Sequence, residues 1–169
     1  MRVPGATERL RFREMGEGDL DAMAGLLGDA RVMTYYPAPK TREGAAAWIA
    51  WNRRNYDTHG FGLWIVETRE GEFVGDCGLT VQEVAGSPAV EVGYHVRPAL
   101  QGRGYATEAA AACLEFAKDH MSADRVVAII HPQNRASERV AEKIGMTRLT
   151  DEGSGDARRI VLGVTLHRP

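Results

Sequence analysis

The sequence predicts an α/β fold built on one mixed β-sheet, and three observations support that prediction. Strand-like alternation and helical apolar spacing follow one another in the order β-α-α-β-β-β-α-β-α-β-β. The strand patterns at 90–96 and 125–130 are joined by a long helical pattern, which favours a right-handed crossover between parallel neighbours. Several other strands follow each other through short turns, as in antiparallel hairpins. A length of 169 residues suits a single domain over 1–169.

The first half of the chain supplies the first strand, two helices and a hairpin. Residues 9–13 alternate between arginine and apolar side chains, which predicts a strand. Thr41 can accept the free N–H groups of a helix that begins at Arg42. The prolines at 37 and 39 forbid a long helix before it. The predicted elements are a strand at 9–13, a short helix from 18, a helix at 42–57 and a hairpin of strands at 61–68 and 73–84.

The second half repeats strand and helix and closes with another hairpin. A turn at 85–88 leads into the strand at 90–96, and Pro132 ends the buried strand at 125–130. Gly145 occupies a typical position for ending a helix. The remaining predicted elements are helices at 106–117 and 136–144 and strands at 146–150 and 158–166, which flank the loop Asp151–Ala157.

Composition excludes several classes of protein. The net charge is −2 and the basic residues are scattered, so we expect neither nucleic acid nor an anionic membrane as a partner. Two cysteines make no disulfide framework and fit a reducing compartment. No two histidines are three or four residues apart, so we expect no metal. The N-terminus lacks a signal-peptide core and no apolar run could span a bilayer, which predicts a cytoplasmic protein.

The segment Gln101–Ala106 reads Gln-Gly-Arg-Gly-Tyr-Ala and lies where a predicted strand gives way to a helix. Glycines let a backbone approach a ligand closely, and the free N–H groups of a helix start attract anions. A Walker loop is absent from the sequence, and a dinucleotide fingerprint would need a third glycine after Gly104. The alternative is a glycine turn that only connects strand to helix.

The segment also matches, at every defined position, the Gln/Arg-x-x-Gly-x-Gly/Ala pyrophosphate motif of the GNAT acyltransferases. Nearly the whole chain resembles this superfamily, in particular the branch with the ribosomal-protein alanine N-acetyltransferases. The landmarks that carry the resemblance are Tyr35-Tyr36-Pro37 with Pro39-x-Thr41, Glu91-Val92-Gly93-Tyr94, Gln101–Ala106 continuing to Ala109, and Asn134-x-Ala136-Ser137 with Glu142-Lys143-x-Gly145-Met146.

The resemblance implies the GNAT fold and acetyl-CoA as the acyl donor. In the family, a bulge in the strand equivalent to 90–96 splays it from its parallel neighbour, and pantetheine enters that gap. A backbone N–H there polarises the thioester carbonyl. The implied cofactor-binding residues are Tyr94, His95, Val96, Gln101, Gly102, Arg103, Gly104, Tyr105, Ala106 and Asn134.

Glu91 is the candidate base, acting directly or through water, because it lies on the central strand and the family often has a carboxylate there. Its alternative is an exposed residue paired with arginine. His95 is the rival base, because side chains four residues apart on a strand share a face. Neither cysteine looks like an exposed nucleophile, so we expect direct attack by the amine and no acyl-enzyme.

Ser137 is the candidate partner of the departing sulfur, since it matches a serine of the related N-terminal acetyltransferases. An ordinary first-turn helix serine is the alternative. Asn134 is expected to cap that helix, and in the family it also touches the cofactor.

The acceptor groove is expected to involve Tyr35, Tyr36, Trp48, Trp51, Asn52 and the Asp151–Ala157 loop. The three carboxylates of the loop would suit a cationic acceptor. Core packing is the better reading for Trp48.

The expected activity is transfer of an acetyl group to a primary amine. A protein or peptide N-terminus, a polyamine and an antibiotic all stay open as acceptors. The alternatives are an acyl-CoA-binding module without turnover and a transferase for another acyl group. Relatives often dimerise, so a homodimer also stays open.

Overall fold

The computed structural model describes residues 2–169, which contain seven strands, four α-helices and three single-turn 3-10 helices. The order along the chain is the predicted one, and most boundaries move by only one to three residues. The elements are β1 (Leu10–Arg13), α1 (Leu20–Leu27), α2 (Arg42–His59), β2 (Leu63–Thr68), β3 (Phe73–Val84), β4 (Ser87–Val96), α3 (Tyr105–His120), β5 (Arg125–Ile130), α4 (Arg135–Lys143), β6 (Thr147–Glu152) and β7 (Arg159–Thr165).

These strands form a sheet in the order β1-β2-β3-β4-β5-β7-β6. Every neighbouring pair in the described chain is antiparallel except β4 and β5, which α3 connects as a crossover. The predicted mixed and mostly antiparallel sheet is therefore confirmed.

Helices cover both faces of the sheet, because successive strand residues point to opposite sides. Leu63 and Ile65 of β2 pack with Met23 of α1 and Ile49 of α2. Trp64 of β2 instead packs on the opposite face, in the cluster that contains α3 and α4. The described helices include none that is long and apolar enough to cross a membrane.

The parallel pair separates along its length. β4 and β5 are in register only at Val90 with Val126 and Glu91 with Val127. β5 then stays paired with β7 up to Ile130, while β4 stays paired with β3 up to Val96. A gap therefore opens between β4 and β5 beyond Glu91, as the predicted splayed pair requires.

The expected bulge in β4 is absent from the described strand pairing. The register between β3 and β4 runs without a shift from Val84 opposite Ser87 to Gly75 opposite Val96. The two strands thus separate because β4 stays paired with β3 while β5 stays paired with β7. An extra residue in β4 is not needed.

The turn between β3 and β4 is shorter than predicted. The chain reverses at Ala85 and Gly86 alone, with φ angles of 51° and 78°, so the strand begins at Ser87. Two positive φ angles in succession match the twist of a two-residue hairpin. Pro88 follows within the strand, at a level where β5 does not reach β4, so its missing N–H disrupts no pairing there.

Candidate active site

A cavity of about 370 Å³ lies where β4 and β5 separate. Its wall combines residues from both faces of the sheet, because the gap connects the two sides. The lining residues are Tyr35, Tyr36, Pro37, Trp48, Trp51, Leu63, Thr80, Gln82, Glu91, Val92, Gly93, Tyr94, His95, Ala128, Ile129, Ile130, His131, Asn134, Ser137 and Arg159. Among residues 2–169, no group of three or more acidic, histidine or cysteine side chains could hold a metal ion.

The backbone of β4 presents hydrogen-bonding groups to the gap. Arg97 donates its N–H to Val74 O at 2.9 Å, so alternate residues along β4 face β3. By this alternation, the main-chain groups of Tyr94 and Val96 face the side that β5 has left. An extended ligand in the gap could pair with them.

The glycine turn ends in a row of amide groups without protein acceptors. Within the described chain, the N–H groups of Gly102 to Thr107 make no hydrogen bond to protein. Gly102 and Gly104 have φ angles of 75° and 81°, a region that favours glycine. Gln101 shapes the turn, because its N–H bonds Pro98 O and its side chain bonds Val96 O at 2.9 Å. Six amides in succession can hold the oxygens of a pyrophosphate.

A tether from the segment before β1 fixes this turn. Arg9 donates to Arg103 O at 2.9 Å and to Glu108 at 3.2 Å. Its guanidinium also lies 4.4 Å above the ring centre of Tyr105. Arg9 thereby connects the segment before β1 to the glycine turn and to the first turn of α3.

Ser137 and Tyr94 form a hydroxyl pair on the cavity wall. The Ser137 hydroxyl donates to Tyr94 Oη at 3.0 Å, and Tyr94 donates to Ser137 O at 2.8 Å. Burial raises the pKa of Tyr94 to about 12, although the bond from Ser137 lowers it. Asn134 caps α4 as expected, accepting from Ser137 N at 3.1 Å. From the sequence, Tyr94 was expected to act only through its backbone, and its side-chain bond to Ser137 was not predicted.

Glu91 lies on the cavity wall where the gap begins, on the same face of β4 as His95. Burial raises the pKa of this carboxyl to about 7, and the nearby His95 lowers it in part. Glu91 has no ion-pair partner in the described chain, which removes the expected alternative of an arginine-paired surface residue. At neutral pH about half of such a group is ionised, which suits a general base.

A buried carboxylate on β3, Asp76, binds two side chains of the wall. His95 Nδ1 donates to Asp76 Oδ1 at 2.7 Å, and Trp48 Nε1 donates to Oδ2 at 3.0 Å. His95 Nε2 and the Tyr36 hydroxyl are 2.8 Å apart. Although 45% of Tyr36 is exposed, its hydroxyl end is enclosed, and that burial with the charge of Asp76 raises its pKa.

Asp76 was not identified from the sequence, and core packing was preferred over a groove position for Trp48, which lines the cavity. One signal was available, because Asp76 interrupts a strand that is otherwise apolar or small between Val74 and Leu79. An acid on a strand with both faces covered is costly to bury without partners. Nothing in the sequence, however, indicates which side chains those partners are.

The cavity wall differs from the expected acceptor groove in two respects. Tyr35, Tyr36 and Trp51 line the cavity, but Asn52 is fully buried and connects Trp48 O to Leu63 N. No residue of the Asp151–Ala157 loop reaches the wall, and Arg159 stands there instead.

The expected acidic loop is engaged elsewhere. Asp151 pairs with Arg158 at 2.7 Å, which lowers the pKa of Asp151, and Glu152 accepts from Ala85 N at 2.8 Å. Because the carboxylates reach these partners only in the folded chain, the composition of the loop wrongly suggested that they were free to bind an acceptor.

The mixed sheet with its opened parallel pair, and the glycine turn before α3, are the arrangement expected of a GNAT acyltransferase. The Acetyltransferase (GNAT) domain family matches residues 9–147, most of the chain. The chain therefore belongs to the GNAT acetyltransferase family and is an acetyltransferase.

Known proteins resemble this chain over most of its length. The chain is 43% identical to the uncharacterized protein YkkB of Bacillus subtilis over 142 residues, 83% of each chain. It superposes on an acetyltransferase from Agrobacterium tumefaciens with a TM-score of 0.84 and 26% identity, covering 99% and 96% of the two chains.

A more distant structure shares the fold. The RimL acetyltransferase of ribosomal protein L7/L12, solved in complex with coenzyme A, superposes with a TM-score of 0.79 and 16% identity over 98% of each chain.

Proposed function

We propose that the protein is an acetyl-CoA-dependent N-acetyltransferase that moves the acetyl group to a primary amine by direct attack in a ternary complex. The observation that carries this proposal is that two different sets of binding groups meet at the β4–β5 gap. Six amides without protein acceptors and the open edge of β4 lie on one side, and Glu91 with an aromatic wall lies on the other.

On the donor side, the pyrophosphate of acetyl-CoA binds the amides of Gly102 to Thr107. Pantetheine extends along β4 and pairs with the main-chain groups of Tyr94 and with the N–H of Val96, whose carbonyl already accepts from the Gln101 side chain. The thioester then lies in the gap, where a backbone N–H of β4 stabilises the negative charge that develops on its carbonyl oxygen. RimL, a structural neighbour solved with coenzyme A, is consistent with this donor.

On the acceptor side, Glu91 takes the proton that an ammonium group must lose before it can attack. An α-amino group is roughly 10% neutral at pH 7 and a lysine side chain only about 0.04%, so the base has a larger task for lysine. His95 is less suited to this role, because both of its ring nitrogens are already engaged.

When the C–S bond breaks, the thiolate needs a proton or a hydrogen bond. The nitrogen loses its second proton at this stage, so one proton is available for the sulfur. We assign Ser137 as the hydrogen-bond donor to the sulfur, its single hydroxyl proton turning from Tyr94 Oη to the departing sulfur. Cys77 and Cys113 are fully enclosed, which is consistent with a mechanism without an acyl-enzyme.

An acceptor panel tests the proposal. Purified protein is mixed with acetyl-CoA and with N-terminal peptides, lysine peptides, a polyamine or an aminoglycoside. Release of free thiol is followed together with the mass of the product. We expect one class to gain a single acetyl group, and Glu91→Gln, matched in size, to suppress the reaction. Binding of acetyl-CoA by calorimetry without turnover on any amine would contradict catalysis, and turnover only with a longer acyl-CoA would contradict the acetyl donor.

A further inference from the structure

The buried network around Asp76 lies outside the residues that the proposed reaction uses. It links Trp48 of α2, Asp76 of β3, His95 of β4 and Tyr36 of the loop before α2. The Asp76 side chain is completely inaccessible and that of His95 is 6% exposed. Tyr36 is the member that reaches furthest toward solvent, and it lines the cavity.

The direction of each hydrogen bond in this network follows from the chemistry of the groups. An indole N–H can only donate, and an ionised carboxylate can only accept. Trp48 therefore donates to Asp76 Oδ2, and His95 Nδ1 donates to Oδ1. With its proton on Nδ1, a neutral His95 accepts at Nε2, so the Tyr36 hydroxyl is the donor in their 2.8 Å contact.

We infer that this network turns Tyr36 into a hydrogen-bond acceptor for the ammonium or amine group of the substrate. Because the Tyr36 proton points inward to His95, the lone pairs of its oxygen face the cavity. A protonated primary amine carries only donors, so it fits between Tyr36 Oη and the carboxylate of Glu91. Tyr36 is then a substrate-binding residue, and His95 and Asp76 are positioning residues that act through it. This inference rests on the proposed function.

Replacing Asp76 with asparagine should reverse the network. Asparagine offers one acceptor and one donor where the carboxylate offered two acceptors. Trp48 must still donate, so the amide oxygen of the new residue turns to Trp48 and its NH₂ group faces His95. His95 then carries its proton on Nε2 and donates to Tyr36. The Tyr36 proton turns into the cavity, where it opposes the N–H groups of the amine.

A second substitution should restore the direction. In Asp76→Asn with Trp48→Phe, the competing indole donor is gone, so the asparagine oxygen can face His95 again. The proton returns to Nδ1, and Tyr36 once more accepts from the substrate. A loss that came only from the missing negative charge would not recover in this pair.

The first test follows turnover with an amine identified in the acceptor panel. We expect Asp76→Asn and Tyr36→Phe each to raise KM for the amine on the order of tenfold, as for the loss of a hydrogen bond to a charged group, with KM for acetyl-CoA unchanged. Adding Trp48→Phe to Asp76→Asn should recover most of the loss. Unchanged amine KM in Tyr36→Phe, or an amine KM in the double variant no lower than in Asp76→Asn, would overturn the inference.

The second test does not need turnover. In protein labelled with ¹⁵N-histidine, the two ring nitrogens of His95 have different chemical shifts according to which one is protonated. We expect protonated Nδ1 in the wild-type protein, protonated Nε2 in Asp76→Asn, and protonated Nδ1 in the double variant. Protonated Nε2 in the wild-type protein would overturn the inference, even if acetyl transfer is confirmed. If no amine is acetylated while the tautomers change as expected, the hydrogen-bond directions stand and the proposed function fails. If Asp76→Asn does not fold, the wild-type spectrum and Tyr36→Phe still decide.

Discussion

On the proposed donor side of the cleft, the groups available for binding are main-chain amides of six consecutive residues, Gly102 to Thr107. On the acceptor side, they are side chains that α2, β3, β4 and the loop before α2 bring together. A site made of backbone needs only a turn shape, which a short run of sequence can specify. A site made of side chains depends on how distant segments pack, and no short run of sequence contains it.

This difference predicts that substitutions on the two sides act on different kinetic quantities. Changes on the acceptor side should act on the amine and on its deprotonation. Changes in the turn should act on acetyl-CoA affinity alone.

The largest effect is expected from Glu91→Gln, which keeps the shape and removes the base. Loss of a general base typically costs 10²-fold or more in rate, so kcat/KM should fall by about that factor. Because the ionised carboxylate is the active form and its pKa is about 7, wild-type kcat/KM should rise with pH and level off above about 7. That rise should disappear in the variant, as measured by initial rates across pH. The same rise with pH in both proteins would reassign the base.

A matched pair of glycines tests the donor side. Gly102 and Gly86 have φ angles of 75° and 78°, and an added Cβ would meet no atom within 4 Å at either position. Alanine at each site should therefore cost about 1–2 kcal/mol in unfolding free energy. Only Gly102→Ala should also weaken acetyl-CoA binding, about tenfold by calorimetry, because its Cβ enters the space of the pyrophosphate. Equal acetyl-CoA affinity in the two variants would contradict a phosphate role for the turn.

Ser137→Ala should lower kcat roughly tenfold, the expected loss for a hydrogen bond to a charged thiolate, without weakening acetyl-CoA binding. Single-turnover rates separate this step from binding. Tyr94→Phe removes the oxygen to which the Ser137 hydroxyl donates and should have a smaller effect. A larger loss in Tyr94→Phe would move the role of sulfur partner to Tyr94.

The smallest effect is expected at the tether of the turn. Arg9 is partly exposed, and exposed ion pairs contribute about 1 kcal/mol or less. Arg9→Gln should weaken acetyl-CoA binding about two- to threefold, because Arg103 O and Tyr105 lose a common partner. KM for the amine should not change. An increase in amine KM would mean that the two sides are coupled through this tether.

The same contrast explains what the sequence could predict. The order of elements and the parallel pair follow from local patterns, since alternation, apolar spacing and breaker residues are properties of short segments. The glycine turn is likewise formed by consecutive residues, so both its motif and its position before α3 could be predicted from the sequence. The splay at Glu91 was expected only from the resemblance, and its cause differed, because β3 and β4 keep a regular register.

The acceptor side could be predicted only in part. The aromatic residues at 35, 36 and 51 were expected in the groove and line the cavity. Asn52 was expected there for the same reason, but its side chain is buried and accepts a hydrogen bond from the N–H of Leu63. The carboxylates at 151 and 152 looked free because their partners, Arg158 and the Ala85 N–H, are met only in the folded chain. Asp76 became recognisable only when its two donors were in place.

The most direct test of the account is amide hydrogen exchange with and without acetyl-CoA. We expect exchange to slow at Gly102 to Thr107 and at Tyr94 and Val96, where amides lack protein acceptors or face the gap. The amide of Arg97, already bonded to Val74, should change little. Protection confined to other parts of the chain, or no protection at saturating acetyl-CoA, would contradict a donor site built from these amides.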